Sequence, residues 1–503
     1  MKKTILLILA GLSFSVVQAQ GISDAVRYAQ DNINGTARFR AMGGAFGALG
    51  GDFSAITVNP AGSAIFANTQ LGVSMSAHNT RNKSDYFGTK ASESLTTFDL
   101  NQFGGALVFR NNFSKDSKWK KFVIAANYET TNNFDDARFT AGTNPNNSAT
   151  GYFASVANGI NVPVNVLEDS FYEQLTLREQ IAFLGYQGYL INLDTGNAND
   201  DSYLTNVASG DFYQESYTET SGFNGKIAFN AAAEYNERLY FGLNINAHFT
   251  DYTKLTRFYE ENDNSVTAGV RDFYYDTDLH TYGNGFSFQL GAIAKVTPSL
   301  RAGLSYESPT WYTLTDELLQ SVYSTGYNFG NPPNPGLDSA YPDSEYLLIY
   351  DPYKLTTPAK WTGSLAYVFG KKGLLSLDYS IRDYSTTRFR PSDSFFNPTN
   401  QTIKNNLAIA GGLRLGGEYR IKKWSLRGGF RNEESPYKDK NVLGDLTAFS
   451  GGFGYSFGIT RLDLSYAHSQ RNSQQALFSE GFTDAPKIRT QNNDITLTIL
   501  FDL

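Results

Sequence analysis

Residues that carry enzyme chemistry are few and scattered in this 503-residue sequence. The four histidines lie on four separate segments, and cysteine is absent, so neither the H-E-x-x-H spacing of zinc hydrolases nor a thiol nucleophile is available. The sequence leaves open a catalytic Ser-His pair whose two residues come together only in the folded chain. The pattern nevertheless favours a protein without catalytic residues, metal or cofactor. The histidines are His78, His248, His280 and His468.

A glycine-rich run followed by Asn-Pro-Ala is the most distinctive local motif. Its glycines invite comparison with a phosphate-binding loop, but no Lys-Ser/Thr pair follows them and the G-x-G-x-x-G spacing is absent. The alternative is structural, because clustered glycines allow a backbone to fold tightly in a confined space. The motif consists of Gly43, Gly44, Gly47, Gly50, Gly51, Asn59, Pro60 and Ala61.

Acidic residues cluster between residues 251 and 283, a stretch that holds seven acidic and three basic residues. A divalent ion needs several oxygen ligands at once, but the cluster lacks EF-hand spacing. We interpret it as a solvated acidic loop, with an ion site as the alternative. The whole chain has 42 basic and 49 acidic residues, and its net charge of -7 argues against nucleic acid as a partner.

The composition favours extended β-structure as the frame for these residues. Aromatic residues make up 15% of the chain, and there are 46 glycines but only 18% charged residues. A disordered chain would lack these aromatics. A helical membrane protein would need several runs of about 20 apolar residues, and none follows the first twenty positions.

The first twenty residues read as a secretory signal peptide. Lys2 and Lys3 precede an apolar stretch from Ile5 to Val17, and Ala19 ends a small-x-small cleavage pattern. We expect residues 1–19 to be removed. Because an exported chain without cysteine has no disulfides, packing and backbone hydrogen bonds must stabilise it.

From residue 69 onward, segments of about ten residues carry apolar side chains at every second position, which is the period of a β-strand. A tilted strand that crosses a membrane needs about 9–11 residues, whereas strands of soluble sandwiches usually have five or six. The lengths therefore favour an all-β, antiparallel transmembrane barrel, which has to close because an open edge in lipid leaves unpaired amides. The fourteen segments are 69–78, 101–110, 119–130, 223–235, 237–250, 284–296, 298–308, 359–369, 372–382, 405–419, 422–432, 446–458, 460–470 and 492–503.

Short and long connections alternate along the chain, as they do in bacterial outer-membrane barrels. If the amino end is periplasmic, all the long loops face the cell exterior and both termini face the periplasm of a Gram-negative bacterium. The long loops are 79–100, 131–222, 251–283, 309–358, 383–404, 433–445 and 471–491.

Two of these loops have further signals. In 131–222, Leu167, Phe171 and Leu175 recur at helical spacing and predict a helix, with Ser170 and Glu173 as its capping box. Loop 309–358 holds seven of the 15 prolines, so we expect it to be irregular but stiff.

In each segment, the apolar side chains at every second position should face lipid, and the side chains between them should line the lumen. The lumen-facing set includes Arg414 and Arg427, which lie on consecutive segments. A guanidinium matches a carboxylate in shape and charge, so this pair could bind the carboxylate of a ligand. The alternative is that both arginines pair with lumen carboxylates such as Asp378 or Asp463 and fill the interior.

Residues 20–68 precede the alternating segments and do not share their pattern. Ile22, Ala25, Val26 and Ala29 suggest a short amphipathic helix, followed by the glycine-rich motif. This arrangement, a glycine-rich run and Asn59-Pro60-Ala61 before fourteen β-segments, resembles the FadL/TodX family of outer-membrane transport proteins for hydrophobic compounds, especially its longer Bacteroidota-type members. The resemblance covers essentially the whole mature chain.

The resemblance implies a fourteen-stranded barrel, residues 69–503, whose lumen holds an amino-terminal plug, or hatch, residues 20–68. It implies passive uptake of long-chain fatty acids or other hydrophobic molecules, through an apolar pocket near the hatch and a lateral exit beside a kinked strand. The implied partners are such a ligand, outer-membrane lipid and lipopolysaccharide, and the barrel assembly machinery through the C-terminal strand.

Other functions stay open at this stage. Some barrels of this kind assist protein secretion or surface attachment, and the long loops would suit secreted proteins as partners. A haem receptor or a general porin is a weaker alternative, although His248 lies at a position that should face the lumen.

Overall fold

The structure is a computed structural model that describes residues 21–30, 32–111, 116–196, 200–262, 268–330, 334–344, 346–393 and 395–503. The predicted signal peptide, residues 1–19, lies outside the described residues. Among the helices in these ranges, none is both long and apolar enough to cross a bilayer.

Strands dominate the described chain. They are β1 (Gln70–Tyr86), β2 (Thr89–Arg110), β3 (Trp119–Asn133), β4 (Asp136–Asn144), β5 (Ile191–Leu193), β6 (Tyr203–Thr205), β7 (Phe212–Tyr235), β8 (Leu239–Asn262), β9 (Gly269–Lys295), β10 (Leu300–Glu307), β11 (Trp311–Phe329), β12 (Asn334–Ala340), β13 (Leu348–Ile349), β14 (Tyr353–Thr356), β15 (Lys360–Val368), β16 (Gly373–Asp383), β17 (Arg388–Arg390), β18 (Ile409–Ile421), β19 (Trp424–Glu433), β20 (Leu446–Ser456), β21 (Thr460–Gln474) and β22 (Lys487–Asp502).

Seven α-helices lie within the described ranges: α1 (Ile22–Ala29), α2 (Ala37–Ala41), α3 (Phe53–Val58), α4 (Thr150–Ile160), α5 (Val164–Asp169), α6 (Leu177–Gln187) and α7 (Asn397–Asn406). Short 3₁₀ helices cover Pro60–Ile65, Tyr172–Gln174 and Tyr384–Thr386.

Fourteen strands of the described chain close into one antiparallel barrel, and all fourteen overlap the segments that the period-two pattern predicts. Each pairs with the next in the order β1, β2, β3, β7, β8, β9, β10, β15, β16, β18, β19, β20, β21 and β22. The ladder between β22 and β1, from Gln70↔Asp502 to Asp85↔Lys487, completes the ring. The predicted fold class is confirmed.

The outer face of the barrel carries a band of exposed apolar side chains. On β22, Ile495, Leu497 and Phe501 are exposed, whereas Thr496 and Thr498 face inward and are buried. Leu243 and Phe241 on β8 are exposed in the same way. An apolar exterior around a polar interior is the reverse of a soluble barrel and is typical of a barrel that spans a membrane.

The two ends of the barrel differ. At one end, here called the turn end, neighbouring strands join through tight connections such as the turn at Lys422. At the other, here called the loop end, several strands run far past the apolar band. β8 and β9 have 24 and 27 residues and pair along almost their whole length.

Three predicted loops, 79–100, 251–283 and 309–358, are therefore wrong, because most of each is paired strand. Residues 79–100 form the upper part of the β1–β2 hairpin, which turns at Phe87 and Gly88. Most of 309–358 is also strand: β11 continues along β9 from Trp311 to Tyr327 instead of forming an irregular loop. In 79–100, polar side chains on both faces hide the strands from a search for apolar alternation.

The long segment 131–222 folds into a cap over the loop end and contains the helices α4, α5 and α6. The predicted capping box is wrong, because Ser170 ends α5 and Glu173 lies in a 3₁₀ turn. Thr176 and Glu179 form the capping box, at the start of α6. Helices α4 and α6 pack with β8, β9 and β11 around a separate apolar core that includes Phe153, Leu184, Phe258, Phe273 and Val322.

Candidate functional site

The amino-terminal segment, defined here as residues 21–68, occupies the inside of the barrel. Every residue from 34 to 64 is buried except Gly51. Helix α2 packs against β19 to β22, whereas the 3₁₀ helix Pro60–Ile65 packs against β3, β7, β8 and β9. The segment therefore touches opposite sides of the wall and fills the space between them. The amphipathic helix predicted from Ile22 is α1.

The glycines of the predicted motif permit this close fit. Gly43 has a φ of +61°, and a Cβ atom on it would lie 2.9 Å from the carbonyl oxygen of Phe430 in the wall. Gly50 also has a φ of +61°, and its Cβ would lie 2.5 Å from the carbonyl oxygen of Gly62. Any side chain at either position would combine backbone strain with a clash.

Glycines of the wall complete the fit, and sequence reasoning missed them. A Cβ on Gly303 would overlap the carbonyl oxygen of Gly47, and a Cβ on Gly429 would overlap the amide nitrogen of Gly43. The signal that could have found them is a glycine at a lumen-facing position of a strand. The positions where such a Cβ would collide with the amino-terminal segment include Gly242, Gly291, Gly303, Gly416 and Gly429.

Asn59 ties the Asn-Pro-Ala part of the motif to the wall. Its amide nitrogen donates to the carbonyl oxygens of Gly47 at 2.8 Å and Ala292 at 3.1 Å. Its side-chain oxygen accepts from the backbone N–H of Ala61, which caps the 3₁₀ helix that begins at Pro60. One buried side chain thus joins the glycine-rich run, the helix start and strand β9.

Carboxylates of the wall hold the segment through charge and through backbone N–H groups. Asp378 accepts hydrogen bonds from the N–H groups of Phe46 and Gly47, both at 2.9 Å. Arg38 donates to Glu418 at 2.8 Å, and Arg40 pairs with Asp494 at 2.6 Å. Buried ion pairs of this kind leave an uncompensated charge when one partner is removed.

The structure places Arg414 and Arg427 against protein carboxylates. Arg414 contacts Glu433 at 3.3 Å, and Arg427 contacts Glu418 at 2.8 Å and Asp463 at 2.7 Å. The two arginines do not face each other, since Arg427 lies opposite Glu418, four residues along β18 from Arg414. Their role as ligand-carboxylate partners stays a prediction.

The histidines are also held by neighbours within the protein. His78 contacts Asp494 at 2.8 Å, His248 contacts Ser287 at 2.8 Å and His468 contacts Asn493 at 2.9 Å. His280 lies 3.2 Å from Glu317. Across the described residues, no group of three metal-ligating side chains is brought together.

Part of the acidic segment 251–283 is paired rather than freely solvated. Arg257 on β8 lies between two carboxylates of β9, at 3.4 Å from Asp276 and in direct contact with Asp278. The hairpin therefore offsets some of its own negative charge.

One serine has the G-x-S-x-G spacing of a nucleophile elbow, in Gly454-Tyr455-Ser456-Phe457-Gly458. That motif functions at a sharp strand-to-helix turn. Ser456 instead ends β20, lies opposite Arg461 and enters a tight turn to β21. The geometry provides no nucleophile elbow there.

The wall is discontinuous between β2 and β3. Their backbone ladder stops at Gln102↔Glu129, although β2 continues toward the loop end and forms a ladder there only with β1. Beyond the ladder, side chains alone join the two strands: Thr130 donates to the carbonyl oxygen of Leu100, and Asn133 donates to Asp99. Strand β3 has a bulge between Thr130 and Asn132, after which β4 continues along β7. The inward-facing Ser84 of β1 donates to the carbonyl oxygen of Phe139 in β4. The chain after the bulge therefore lies on the inner side of the β1–β2 hairpin, while it stays paired with β7.

This bend contacts the amino-terminal segment directly. The N–H of Asn32 donates to the carbonyl oxygen of Thr131 at 3.0 Å, and the side chains of Asn32 and Asn132 bond at 2.5 Å. Deeper in the lumen, Thr57 donates to Glu129 at 3.0 Å. The interruption of the wall and the segment inside the barrel share one contact surface.

An aromatic cluster surrounds α1 between the bend and the cap. Tyr28 packs on Phe134 and Tyr312, with ring centroids 6.3 and 5.9 Å apart. Val26 belongs to the same cluster, so α1 fills a chamber whose walls are largely aromatic and aliphatic. The ion pair of Arg27 with Asp24 and the buried carboxylate of Asp316 lie beside these walls. Other members of the chamber wall are Tyr252, Leu314, Tyr353, Leu355, Phe389, Phe396, Ile403, Leu407 and Tyr437.

Solved structures share this architecture. A FadL homologue from Pseudomonas aeruginosa aligns with a TM-score of 0.52 and 13% identity, over 94% of this chain and 99% of that one. The toluene transporter TodX of P. putida aligns with a TM-score of 0.50 and 13% identity, also over 94% and 99% of the two chains. This chain has the FadL/TodX fold.

Searches by sequence do not detect the relationship that the solved structures show. No protein-family model matches the chain, and no curated protein matches it. The resemblance that the sequence motif suggested is confirmed for the fold, although the aligned FadL homologue is only 13% identical to this chain.

Proposed function

We propose that this chain transports small hydrophobic molecules across the outer membrane of a Gram-negative bacterium. In this proposal residues 1–19 are the signal peptide, residues 20–68 are the hatch and residues 69–503 are the barrel, with both termini in the periplasm. The carrying observation is the interrupted β2–β3 ladder, which lies where the bent wall contacts the hatch at Asn32 and Asn132.

The physical reason for a lateral exit is the cost of water. Each methylene that leaves an apolar site for water costs about 0.8 kcal/mol, so a long alkyl chain released into an aqueous channel would face a steep barrier. A ligand that passes between β2 and β3 enters the bilayer without that step. The hatch closes the lumen to water and ions meanwhile.

The chamber around α1 is the proposed holding site for the ligand. Aromatic rings and aliphatic side chains suit hydrophobic cargo, and Val26 and Tyr28 would yield their positions as the ligand enters. We favour a long-chain fatty acid, with other hydrophobic compounds as alternatives; the toluene transport of TodX supports the wider class. Unchanged oleate uptake after replacing both Arg414 and Arg427 would exclude them as carboxylate partners.

A disulfide between hatch and wall tests the proposal, because the natural chain has no cysteine. Asn32→Cys with Asn132→Cys would join two side chains that already touch. Proteoliposomes with the oxidised variant should take up labelled oleate at background rates, and a reductant should restore uptake.

The matched control is Gln70→Cys with Asp502→Cys, which staples two touching side chains in the β1–β22 seam away from the bend. This variant should transport equally well when oxidised or reduced. If the oxidised hatch staple also transports normally, hatch movement is not required and the proposal fails.

The folded cap supports one second function, that of an accessory barrel which binds secreted proteins. The cap presents an ordered outer surface with exposed side chains such as Phe171 and Leu204. Stable capture of secreted proteins together with absent oleate uptake would favour this function over transport.

A further inference from the structure

The outward face of four neighbouring strands changes character beyond the apolar band. On β1 the outward positions are Leu71, Val73, Met75 and Ala77, and then Asn79, Arg81, Lys83 and Asp85. On β22 the apolar positions end at Ile495 and continue as Asn493, Gln491, Arg489 and Lys487. The same face that meets lipid therefore becomes basic toward the loop end.

Strand register brings these basic side chains together. Lys83 lies directly opposite Arg489, and Asp85 lies between Lys90 of β2 and Lys487 of β22. With Arg81, the outward face here holds five basic residues and this single carboxylate, which only Lys90 and Lys487 flank directly. In the described part of the chain, no carboxylate forms an ion pair with Lys83, Lys90 or Lys487.

Four of these basic side chains, those of Lys83, Lys90, Lys487 and Arg489, line a cleft rather than a flat surface. Its volume is about 880 Å³, and its floor is the sheet formed by β2, β1, β22 and β21. One side is built by residues 440–444, which continue the sheet through the Leu443↔Ser473 bridge. Lys440 on that side is already paired with Asp445 at 3.0 Å. The cleft is thus built by five segments and is large enough for a headgroup.

The charge of this face differs from that of other outward faces. The extensions of β7, β8 and β9 instead present carboxylates such as Glu215, Glu219, Glu261 and Asp276. The whole chain has a net charge of -7. A cluster of five basic residues is therefore not a consequence of the overall composition.

Placing like charges opposite each other on adjacent strands is unfavourable, as for Lys83 and Arg489. An anion between them would relieve that repulsion. Arg81 and Lys83 lie four and six residues beyond Ala77, which is about 10 and 15 Å along the membrane normal for a tilted strand. Long basic side chains reach back toward the interface from such positions.

We propose that this cleft binds the phosphorylated headgroup of a lipid in the leaflet at the loop end. The acyl chains of that lipid lie along Val73, Met75 and Ile495, and its phosphates contact Lys83, Lys90, Lys487 and Arg489. This inference goes beyond cargo transport and rests only on the barrel spanning a membrane.

The test measures binding of fluorescent bisphosphorylated lipid A to the purified full-length barrel in neutral detergent. The variant Lys83→Gln, Lys90→Gln, Lys487→Gln, Arg489→Gln should bind at least about tenfold more weakly, and raised salt should reduce the difference because exposed charges are screened. A matched variant, Lys371→Gln, Lys372→Gln, Lys422→Gln, Lys423→Gln, removes four charges at the turn end and should bind as the natural chain does.

Further arms separate the lipid from other anions and from a second copy. Lipid A without its phosphates should bind at least about tenfold more weakly to the natural chain, and inorganic phosphate at equal concentration should not displace the probe. A variant with Lys83, Lys90 and Lys487 changed to Arg should keep binding, which controls for folding. Any one of four results would overturn the proposal. These are equal binding by the Gln variant, equal binding of dephosphorylated lipid, displacement of the probe by inorganic phosphate, and a loss of self-association in place of lipid binding.

Discussion

At the scale of single residues, the fit between hatch and wall depends on side chains that are missing. Gly303 and Gly429 make room for the backbone at Gly47 and Gly43, and Asn59 fills the remaining polar space with four hydrogen bonds. This arrangement brings backbone against backbone with little flexible material between them. Small changes in volume at these positions should therefore displace the hatch.

Gly303→Ala should loosen the hatch, because the new methyl group overlaps the carbonyl of Gly47. We expect a loss of about 1–3 kcal/mol of stability, as for other overpacked sites. Hydrogen exchange at residues 41–51 should rise. Gly363→Ala on neighbouring β15 is the control, since its Cβ would meet nothing within 4 Å and should leave exchange unchanged. Equal exchange in both variants would contradict the tight fit.

Glu260 should make the cap sensitive to pH. It lies on β8 beyond the apolar band, and burial raises the pKa of its carboxyl to about 7, even though Ala149 and Gln214 donate to it. The folded pKa exceeds the unfolded value, so unfolding releases a proton between about pH 4.5 and 7. Its contribution to stability is complete below that range and declines as pH rises through it.

Hydrogen exchange of α4 at pH 5 and pH 8 measures this effect. After correction for intrinsic exchange rates, protection should be lower at pH 8 in the natural chain. Glu260→Gln does not titrate and should show equal protection at both values. The same pH dependence in both proteins would assign it to another group.

At the scale of elements, β3 explains how a continuous strand pattern produces an interrupted wall. The strand pairs with β2 up to Glu129 and has a bulge beyond Thr130. After the bulge, β4 takes the place of β3 as the neighbour of β7. The cap is a second element with its own apolar core, distinct from the hatch.

Phe153→Ala in α4 should unfold the cap locally, because this fully buried ring contacts Phe273 and Tyr275. Loss of a buried phenylalanine costs about 3–5 kcal/mol. Limited proteolysis should cut near residues 150–187 while the barrel itself stays resistant. Phe171→Ala is the exposed control and should not change the cleavage pattern. Resistance of the Phe153 variant would mean that the barrel extensions alone hold the cap.

The elements differ in how far the sequence predicts them. All fourteen barrel strands are predictable because lipid demands an apolar side chain at every second position. The extensions beyond the apolar band obey no such demand, so the sequence predicts 79–100, 251–283 and 309–358 as loops. The end of the β2–β3 ladder leaves no signal either, since the alternation of β3 continues to Thr130. The alternation predicts that Arg414 and Arg427 face the lumen, but it does not predict their carboxylate partners, because these depend on the register between strands.

At the scale of the whole molecule, the barrel is a closed ring with a filled interior and a covered end. Wall and hatch meet through Asp378, Glu418 and Asp494 on separate strands, so the hatch is fixed at several points around the circumference. A wall of this size without the hatch would enclose an aqueous lumen.

Deleting residues 34–64 should convert the barrel into an open channel. In planar bilayers the natural chain should show no steady current, whereas the deletion variant should conduct ions in discrete steps. The variant's heat-modifiable mobility on electrophoresis would verify that the barrel still folds. Equal conductance of both proteins would mean that the hatch does not seal the lumen.

The length of the β8–β9 hairpin has a consequence for how the molecule is seen from outside. With 27 residues in β9, a strand tilted at about 40° rises roughly 70 Å, far more than the apolar band of about 25 Å. If the loop end faces the cell exterior, as we propose, the described residues there present a folded head of paired strands and packed helices. Antibodies raised against intact cells should recognise conformational epitopes on that head, and their binding should disappear when the protein is boiled.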